Sequence, residues 1–538
     1  MRTIMRKRKA IMISLLGVLV LGGITSCLKT DDFKLDKVAG TNWDPNIAVP
    51  LIHSPLTIYD VIGEDNSSSI SVDSTHFVTL IYKGNIYSIY GYQFLPVNDQ
   101  AYTQTIPLTF SDSSTLYTAG SVVKTRTVSI PFTGSNGEQL DSIRMGAGKL
   151  TVSLSSTVSH SGILNVSIPA ATLNGVAFSK DIPFSITAGL PVLVNSSYDL
   201  TGYHLDLHAS GGSNHMDEIY TVTFNNSAGS SATINKSIAI TSTYSNLKIG
   251  TAYGYFGQRP ITVQADSLRL SIFDNSIGGT MHFDNPKMIF TIENSFGMPV
   301  SGHLNSFNAL IPAGGSFAIT GAPNPLPIQS PVAEGQVAIT SFTLDTVNSN
   351  IATALNFNPK FINYSAQATS NVPVAATNFL LDSSQFKVDM EIDLPLHGYA
   401  SGLTVQDTAD FSMDNIDQIE SAVFRINIKN GFPAKAFAQV YFVDSAFQKL
   451  DSLISNPADL IIQSAQIDGS GRAIAPTLVT RDEPFNKTRL QHLFSAKKIL
   501  IRGVLDTKDA PGTHIYIYSD YVLDMKVGVR AQLSFRTN

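Results

Sequence analysis

Along Leu150-Thr-Val-Ser-Leu-Ser-Ser-Thr-Val158, apolar and polar residues alternate, and the apolar ones stand at positions 150, 152, 154 and 158. The same period of two recurs in Tyr220-Thr-Val-Thr-Phe224, Phe290-Thr-Ile-Glu293, Phe424-Arg-Ile-Asn-Ile-Lys429 and Ile515-Tyr-Ile-Tyr518. Strict alternation is typical of half-buried strands in antiparallel sheets. Clusters of Gly, Ser and Asn at 134–137, 210–214 and 469–471 separate such segments as turns. The pattern predicts an all-β chain built of tandem antiparallel β-sandwiches.

Helical patterns are scarce in this sequence. Short helices are expected only at 57–62, 415–423 and 487–498, and none is long enough to form a helical bundle. Trp43 is the single tryptophan, and we expect it to anchor the core around the first strand. Charged residues make up only 14% of the 538 positions, while Ser, Thr and Asn supply most of the polarity. This composition suits the exposed strand faces of a secreted β-protein.

The N-terminus has the pattern of a secretory leader. Five basic residues and no acidic residue lie in the first ten positions, and an apolar run of 14 residues follows at 11–24. The run is shorter than the roughly 20 residues that a spanning helix needs. It ends in Ile24-Thr25-Ser26-Cys27. This ending resembles the bacterial lipobox, in which the cysteine is lipidated and becomes the first residue of the mature protein.

The lipobox resemblance implies that residues 1–26 are a lipoprotein signal peptide. It also implies that Cys27 carries a diacylglyceryl group and a further acyl chain such as palmitate. Two or more acyl chains hold a protein stably at a membrane surface. The alternative is a short uncleaved membrane anchor in which Cys27 has no special role.

The residues after Cys27 bear on where the protein is displayed. Leu28 stands where an Asp would favour retention in the inner membrane of Gram-negative bacteria. Lys29-Thr30-Asp31-Asp32 is similar to the Lys/acidic signals that send Bacteroidota lipoproteins to the outer leaflet. We therefore expect a lipid-anchored outer-membrane protein facing the cell exterior. The alternative is that Lys29-Thr30-Asp31-Asp32 is only part of a polar tether, which keeps the first domain clear of the headgroups.

Charge and cysteine content argue against a nucleic-acid-binding protein and a disulfide-stabilised one. The leader holds 5 of the 36 Lys and Arg residues and none of the 42 Asp and Glu residues, so the mature chain keeps 31 basic residues and a net charge of −11. No Lys/Arg cluster follows the leader, which argues against nucleic acid as a partner. Because Cys27 is the only cysteine, no internal disulfide can form, and stability must come from buried apolar area.

A weak internal repeat links two segments. Phe290-Thr-Ile-Glu-Asn-Ser-Phe-Gly-Met-Pro299 and Phe424-Arg-Ile-Asn-Ile-Lys-Asn-Gly-Phe-Pro433 each join an alternating run to Asn, Phe and Pro. Asn tolerates left-handed backbone and Pro cannot donate to a sheet, so strands are expected to end at Asn294 and Asn430. Asn-Pro-Lys occurs at 285–287 and again at 358–360. These echoes indicate a duplication or, alternatively, chance reuse of strand ends.

The segment 285–300 resembles the LEA14/WHy-type β-sandwich, whose strands read Asn-Pro, an alternating apolar run and Asn-x-x-Gly-x-Pro. This resemblance covers about one strand pair per module. It implies small immunoglobulin-like or LEA-like sandwiches near water or membrane, and it implies no catalytic residues. The segments 43–51 and 515–535 are similar to the start and end of uncharacterised Bacteroidota surface lipoproteins.

The strand and turn patterns divide the chain into five parts. The predicted parts are a signal peptide at 1–26, a tether at 27–42, an N-terminal β-sandwich region at 43–265, a middle β-sandwich module at 266–396 and a C-terminal β-sandwich module at 397–538.

The best metal candidate is His204-Leu-Asp206-Leu-His208. On a strand, His204, Asp206 and His208 share one face, where neighbours stand about 6.6–7 Å apart, and two of them could ligate one metal ion. His215, Asp217 and Glu218, beyond a glycine turn, could fold back to complete the site. The alternative is the solvent face of an amphipathic strand. No CxxC, HExxH or EF-hand spacing supports a metal, and no cofactor is expected.

Catalytic signatures are missing from the sequence. Asp389, Glu391 and Asp393 alternate along one strand and could supply acids for glycoside hydrolysis, but an exposed strand face has the same pattern. No Gly-x-Ser-x-Gly elbow, Walker loop or dinucleotide fingerprint is present. We therefore identify no catalytic residue and expect a non-enzymatic protein.

Tyrosines crowd two segments. One segment holds Tyr82, Tyr87, Tyr90 and Tyr92, and the other holds Tyr253 and Tyr255. Exposed tyrosines could stack on sugar rings or meet a protein partner, whereas buried ones would only pair across strands.

The sequence thus favours a lipid-anchored, non-enzymatic envelope protein with a binding, adhesion or structural role at the outer membrane. A secreted glycan-binding or glycan-hydrolysing lipoprotein is the alternative, and a carrier of apolar ligands is a third hypothesis. The partners expected are the membrane, through Cys27, together with envelope proteins or glycans. The ligand-binding residues, the ligand and the oligomeric state do not follow from the sequence.

Overall fold

The computed structural model describes residues 42–62, 68–131, 137–186, 192–208, 214–227, 236–274, 276–311, 314–374, 378–412, 418–456 and 461–536. The signal peptide, Cys27 and the tether up to residue 41 lie outside the described residues, so the expectations attached to them stay predictions.

Strands dominate the described chain. Up to residue 255 the elements are β1 (Asn42–Trp43), β2 (Asn46–Leu56), α1 (Ile58–Ile62), β3 (Ser68–Val72), β4 (Val78–Tyr90), α2 (Gly91–Phe94), β5 (Gln100–Pro107), α3 (Phe110–Ala119), β6 (Ser121–Pro131), β7 (Gln139–Ser156), β8 (Gly162–Leu173), β9 (Val176–Phe184), β10 (Val192–Asp199), β11 (His204–Asp206), β12 (His215–Asn225) and β13 (Ser237–Tyr255).

The middle of the chain contains β14 (Pro260–Arg269), a 3₁₀ turn (Ser271–Phe273), β15 (Ser276–Phe283), β16 (Lys287–Asn294), β17 (Val300–Leu310), β18 (Ser316–Ala318), β19 (Ala338–Leu344), α4 (Ile351–Leu355), β20 (Phe361–Ser370), β21 (Asn378–Leu381) and β22 (Gln385–Pro395). The last part contains β23 (His397–Asp410), β24 (Ile419–Asn430), β25 (Ala434–Val443), β26 (Lys449–Ser452), β27 (Ile461–Ile462), β28 (Gln466–Ile467), β29 (Ala473–Ala475), β30 (Thr477–Asn486), α5 (Lys487–Ser495), β31 (Lys498–Thr507), β32 (Ile515–Tyr516), β33 (Leu523–Leu533) and β34 (Phe535–Arg536).

The first sandwich is formed by two layers of strands. One layer has the order β9-β8-β12-β6 and the other the order β10-β7-β13-β5, and the short strand β11 pairs with both β7 and β8. Apolar residues of both layers alternate inward into one core, as along Leu150, Val152 and Leu154. The alternating run at 150–158 therefore forms part of this core, and the all-β sandwich prediction is confirmed.

Two further sandwiches follow. In the second sandwich, the sheet β19-β16-β22-β4-β3 faces the sheet β14-β20-β17-β18. In the third, the sheet β2-β33-β24-β30 faces the sheet β15-β23-β31-β25-β26, and α5 packs into the same core. Phe290 of β16 meets Phe307 of β17 across the second core, with ring centroids 5.7 Å apart.

The second and third sandwiches share one topology. The strands β4, β14, β16, β17, β18, β19, β20 and β22 of the second correspond in neighbour order to β2, β23, β24, β25, β26, β30, β31 and β33 of the third. A short helix, α4 or α5, stands at the equivalent place in each. This shared order is what a duplication of the module predicts.

The repeated sequence lies at equivalent places in the two sandwiches. Asn294 ends β16 and Asn430 ends β24, and both side chains are buried. Each side-chain oxygen accepts the backbone N–H of the Phe two residues on, at 2.9 Å. Each amide also donates to a distant carbonyl, that of Gln329 or Gln463, at 2.8 and 2.9 Å. The repeated Asn-Pro-Lys segments at 285–287 and 358–360 do not lie at equivalent places. They stand at the starts of β16 and β20, which belong to opposite sheets of the same sandwich.

Some strands pair with strands that the sequence analysis assigned to a different module. β2 lies in the predicted N-terminal region but pairs with β33 near the C-terminus, and β4 pairs with β22 of the second sandwich. The chain therefore enters through the third sandwich, passes through the second, builds the first and then returns. The turn from β22 to β23, at Leu396, lies at the predicted boundary between middle and C-terminal modules.

Three local expectations are corrected by the structure. Residues 419–423, predicted as helix, belong to β24, because their alternation is satisfied between β30 and β33. Helix α3 was not expected, although Thr109 and Asp112 form its capping box. Trp43 is 64% exposed and stacks on Phe535 at 5.2 Å instead of anchoring a core. The helices expected near 58 and 487 are present as α1 and α5.

Candidate functional site

The predicted metal residues lie on the solvent face of the first sandwich. His204 and Asp206 are exposed on β11, whereas Leu205 and Leu207 are buried, as the alternation predicts. His208 follows the strand, with its Nε2 3.3 Å from Asp141 Oδ1 and its Nδ1 3.8 Å from Asp206 Oδ1. In the described part of the chain, no group of three or more His, Cys, Asp or Glu side chains is placed to hold a metal ion. The geometry favours the solvent-face interpretation.

The residues expected to complete that metal site have different surroundings. His215 forms an isolated bridge with His208, but Glu218 points into the core of the first sandwich. The carboxylate of Glu218 accepts hydrogen bonds from Ser242 Oγ at 2.7 Å and from the Tyr244 hydroxyl at 2.9 Å, both on β13 of the opposite layer. Burial raises the pKa of Glu218, and these hydrogen bonds only partly offset it. Glu218 therefore ties the two layers together and is not available as a ligand.

The predicted row of acids lies on the outer face of the second sandwich. Asp389 and Glu391 line a depression of about 370 Å³, which we call the sheet-face depression, together with residues 83–85, 289, 291 and 390. Lys83 Nζ lies 2.8 Å from Glu391, and Lys387 pairs with Asp389. Lysines on the same face thus neutralise both acids, as expected of a soluble strand face.

Asp393, at the end of this row, is half-buried. Burial is the main cause that raises the pKa of Asp393, and the negative charge of Glu391 raises it further. The positive charges of Lys287 and Lys83 lower it in part. Its Oδ1 is buried and has no hydrogen-bond partner. A single half-buried acid of this kind does not make the pair of carboxyl groups that glycoside hydrolysis needs.

The tyrosines divide into buried or half-buried ones and exposed ones. Tyr82 is fully buried, and its hydroxyl accepts the backbone N–H of Ile272 at 3.1 Å. Tyr87 is half-buried and packs edge-on against Phe386. Tyr90 and Tyr92, by contrast, are 40% and 55% exposed, and their rings stack with centroids 5.7 Å apart. Tyr253 and Tyr255 are half-buried on β13.

Tyr92 lines a cleft where the chain passes from the second sandwich to the first. The cleft, which we call the junction cleft, has a volume of about 380 Å³ and is lined by residues 91–92 and 95–97, 247–249 and 380–382. Most of its lining is apolar, and Lys248 and Asp382 are the only charged residues among the described lining residues. The volume falls within the range of small-molecule sites.

Two backbone features build the junction cleft. The pairing of β13 with β7 shifts register at four places, three of them between Ser245 and Thr251, and this bulged stretch contributes Leu247, Lys248 and Ile249 to the cleft wall. Bulges of this kind bend a strand and re-aim its side chains, often beside functional sites. On the opposite side, the Gly91 N–H donates to Ser384 O at 2.7 Å, and a Cβ at Gly91 would lie 2.0 Å from Leu381 O.

A cluster of histidines was missed by the sequence analysis. The carboxylate of Asp284 contacts three imidazole rings. Its oxygens lie 2.7 Å from His514 Nδ1, 2.9 Å from His397 Nδ1 and 3.4 Å from His282 Nε2. Asp284 lies between β15 of the third sandwich and β16 of the second, so the cluster joins these two sandwiches. Burial lowers the pKa of His397, Asp284 partly offsets this, and His514 lowers it further. No sequence spacing signals the cluster, because its members come from distant strands.

A third space lies inside the core of the second sandwich. It is apolar, about 40 Å³ in volume, and bordered by Phe290, Phe342 and Phe386 among others. Sites for ligands of ordinary size are several times larger. None of the helices in the described residues combines the length and the apolar character needed to cross a membrane.

Comparisons with known proteins give no family. No protein-family model and no curated protein matches the chain. Among solved structures, it is similar to a Parabacteroides distasonis protein taken to be secreted, at 12% identity and a TM-score of 0.23, covering 51% of this chain and 82% of that one. It is also similar to a structure of infectious bursal disease virus, at 7% identity and a TM-score of 0.15, covering 77% and 82%. At these TM-scores neither likeness carries an argument.

Proposed function

We propose that this protein is a lipid-anchored, non-enzymatic binding protein of a bacterial outer membrane, and that it takes its ligand in the junction cleft. The construction of this cleft carries the proposal. A bulged strand turns Leu247, Lys248 and Ile249 toward it, a glycine allows the close approach of the opposite wall, and an exposed tyrosine stands at its edge. A mostly apolar recess with a few polar groups is what a small-molecule site needs.

The lining of the cleft favours binding over hydrolysis. A glycoside hydrolase of the usual kind needs two carboxyl groups about 5–9.5 Å apart across the sugar. Asp382 is the only carboxylate among the described residues that line the cleft. The row of acids at Asp389 and Glu391 lies in the separate sheet-face depression and is paired with lysines. A carrier of apolar ligands is less well supported, because the core cavity of the second sandwich is only about 40 Å³.

The anchor is supported by the leader and by the lipobox resemblance at Cys27. The first long strand after the predicted tether, β2, is built into the third sandwich through its pairing with β33. From there the chain runs through β3 and β4 of the second sandwich before it reaches the cleft. The first long strand after the predicted tether and the cleft therefore belong to different sandwiches, an arrangement that is compatible with a tethered ligand-binding protein.

A thermal-shift screen of the mature protein tests the binding role. Candidate ligands are neutral oligosaccharides, fatty acids and short peptides, and a ligand that binds only the folded protein raises its midpoint of unfolding. The variant for comparison is Val97→Trp. Val97 is half-buried in the cleft lining, so the larger side chain should fill the cleft and block ligand binding. We expect at least one ligand class to stabilise the wild type and not the variant. No shift with any class, or chemical conversion of the ligand, would overturn the proposal.

Mass spectrometry of the N-terminal peptide tests the anchor separately. We expect a mature chain that begins at Cys27 and carries acyl chains on that residue. A free thiol at Cys27, or an intact leader, would remove the membrane part of the proposal and leave the cleft to be judged by the ligand screen.

A further inference from the structure

We infer that the junction cleft binds neutral carbohydrate, with the ring of Tyr92 as the surface on which a sugar stacks. This inference rests on the proposed function and names the ligand class for the same site.

The aromatic pair at the edge of the cleft has the geometry of a stacking surface. The rings of Tyr90 and Tyr92 are inclined by only 16° with centroids 5.7 Å apart, so they are stacked with an offset and each keeps part of a face uncovered. Of the two, Tyr92 lines the cleft and is the more exposed. A pyranose ring presents a face of C–H bonds, which packs on the electron-rich face of an aromatic ring.

The position of this pair is fixed by the backbone. Tyr90 is the last residue of β4 and caps α2, and its N–H donates to Gln93 Oε1 at 2.9 Å. The backbone N–H of Gly91 is held by Ser384, and the N–H of Leu95 closes the turn onto Gly91 O at 2.9 Å. A short turn with backbone hydrogen bonds on both sides of Tyr92 therefore positions this residue, so that the backbone loses little conformational freedom when a ligand binds.

The charged groups of the cleft suit a neutral, hydroxylated ligand. Lys248 can only donate hydrogen bonds and the Asp382 carboxylate can only accept them, whereas each sugar hydroxyl can do both. Their opposite charges give the lining no net preference for an anion or a cation. An acyl chain would desolvate both groups without pairing them, which is costly. A polyanion would meet one lysine beside an acid, on a mature chain with a net charge of −11.

The size of the cleft points to a short oligosaccharide or to the end of a longer one. Its volume of about 380 Å³ is near the lower end of the range for ligand sites. The half-buried Leu247 and Ile249 provide an apolar wall for the C–H faces of a sugar, while Tyr92 provides the ring.

Isothermal titration of the mature protein with four neutral trisaccharides, maltotriose, cellotriose, mannotriose and tri-N-acetylchitotriose, tests this inference. We expect at least one trisaccharide to bind the wild type. Tyr92→Ala should weaken that binding by at least about tenfold, because a stacking contact is lost. Tyr92→Phe, which keeps the ring, should weaken it less than about threefold. Asp382→Asn should weaken it by about tenfold, since a charged acceptor is lost.

Tyr59→Ala is the matched control, because Tyr59 is 43% exposed and is not part of the cleft lining. It should leave the affinity unchanged, and all variants should keep the circular dichroism and unfolding midpoint of the wild type. Equal binding by wild type and Tyr92→Ala would overturn the assignment of the site.

The experiments distinguish an error in the ligand class from an error in the proposed binding function. If no trisaccharide binds, the carbohydrate inference is overturned. The proposed binding function then still stands if a fatty acid or a peptide stabilises the wild type and Val97→Trp abolishes that effect.

Discussion

The junction cleft and the sheet-face depression have almost the same volume, about 380 and 370 Å³, but they are built differently. The cleft forms where three separate segments of two sandwiches meet, and its lining is mostly apolar with one lysine and one acid. The depression lies on one continuous sheet, where Glu391 is paired with Lys83 and Asp389 with Lys387. Size therefore does not distinguish a ligand site from a strand face here, whereas the chemistry of the lining does.

The largest effect is expected from a side chain added at Gly91, where the two walls of the junction cleft are in close contact. Gly91→Ala would place a Cβ 2.0 Å from Leu381 O, so the segments at 91 and 381 must separate. Forced overpacking of this kind costs about 1–3 kcal/mol, and we also expect loss of ligand binding. Urea denaturation and calorimetry measure the two effects.

The control for this substitution is Gly278→Ala. Gly278 has open space around its Cβ position, so this variant should be close to the wild type in stability and in binding. Equal behaviour of Gly91→Ala and Gly278→Ala would show that the close approach at the cleft is unnecessary.

The second prediction concerns Asp393 beside the sheet-face depression. Its pKa is raised by burial and by Glu391, so its contribution to stability is present below the unfolded value of about 3.8 and is lost as the pH rises through the folded value. Asp393→Asn should therefore stabilise the protein at neutral pH, by less than about 1 kcal/mol because Lys287 and Lys83 lie near, and should have no effect in acid. Urea denaturation at several pH values measures the difference.

Asp482→Asn should give the opposite pH profile. A hydrogen bond from Arg425 lowers the pKa of Asp482, so its contribution is present above the unfolded value and is lost as the pH falls through the folded one. The variant should be less stable than the wild type at neutral pH and equal to it in strong acid. The same sign for both substitutions would contradict the described surroundings of Asp393.

The smallest effect is expected inside the depression itself. Asp389→Asn with Glu391→Gln removes two surface ion pairs, which are worth only a few tenths of a kcal/mol each, and we expect no change in ligand affinity. Calorimetry with a bound ligand measures this. A clear loss of affinity would move the site from the cleft to the sheet face.

The sequence was sufficient to predict what depends on local alternation. The sandwiches, the buried face of Leu205 and Leu207, and the strand ends at Asn294 and Asn430 follow from the pattern of neighbouring residues. The pairing of β2 with β33 could not be predicted in this way, because it joins the two ends of the chain. Trp43 was misplaced for the same reason, since its partner Phe535 lies at the other terminus.

The candidate site was only partly predictable. The tyrosine-rich segment was recognised, but alternation along β4 could not separate buried Tyr82 from exposed Tyr90. The cleft also depends on a bulge near Lys248 and on a strand, β21, that reaches it from another sandwich. The same limit applies to the histidines around Asp284, because only the folded chain brings their strands together.

Methyl NMR of the mature protein tests the central claim most directly, because both recesses carry methyl groups. Leu95, Leu247, Ile249 and Leu380 report on the junction cleft, and Ile289 and Met390 report on the sheet-face depression. Titration with the trisaccharide that binds most tightly should shift the first set and leave the second unchanged. Shifts at Ile289 and Met390, with a silent cleft, would contradict the account.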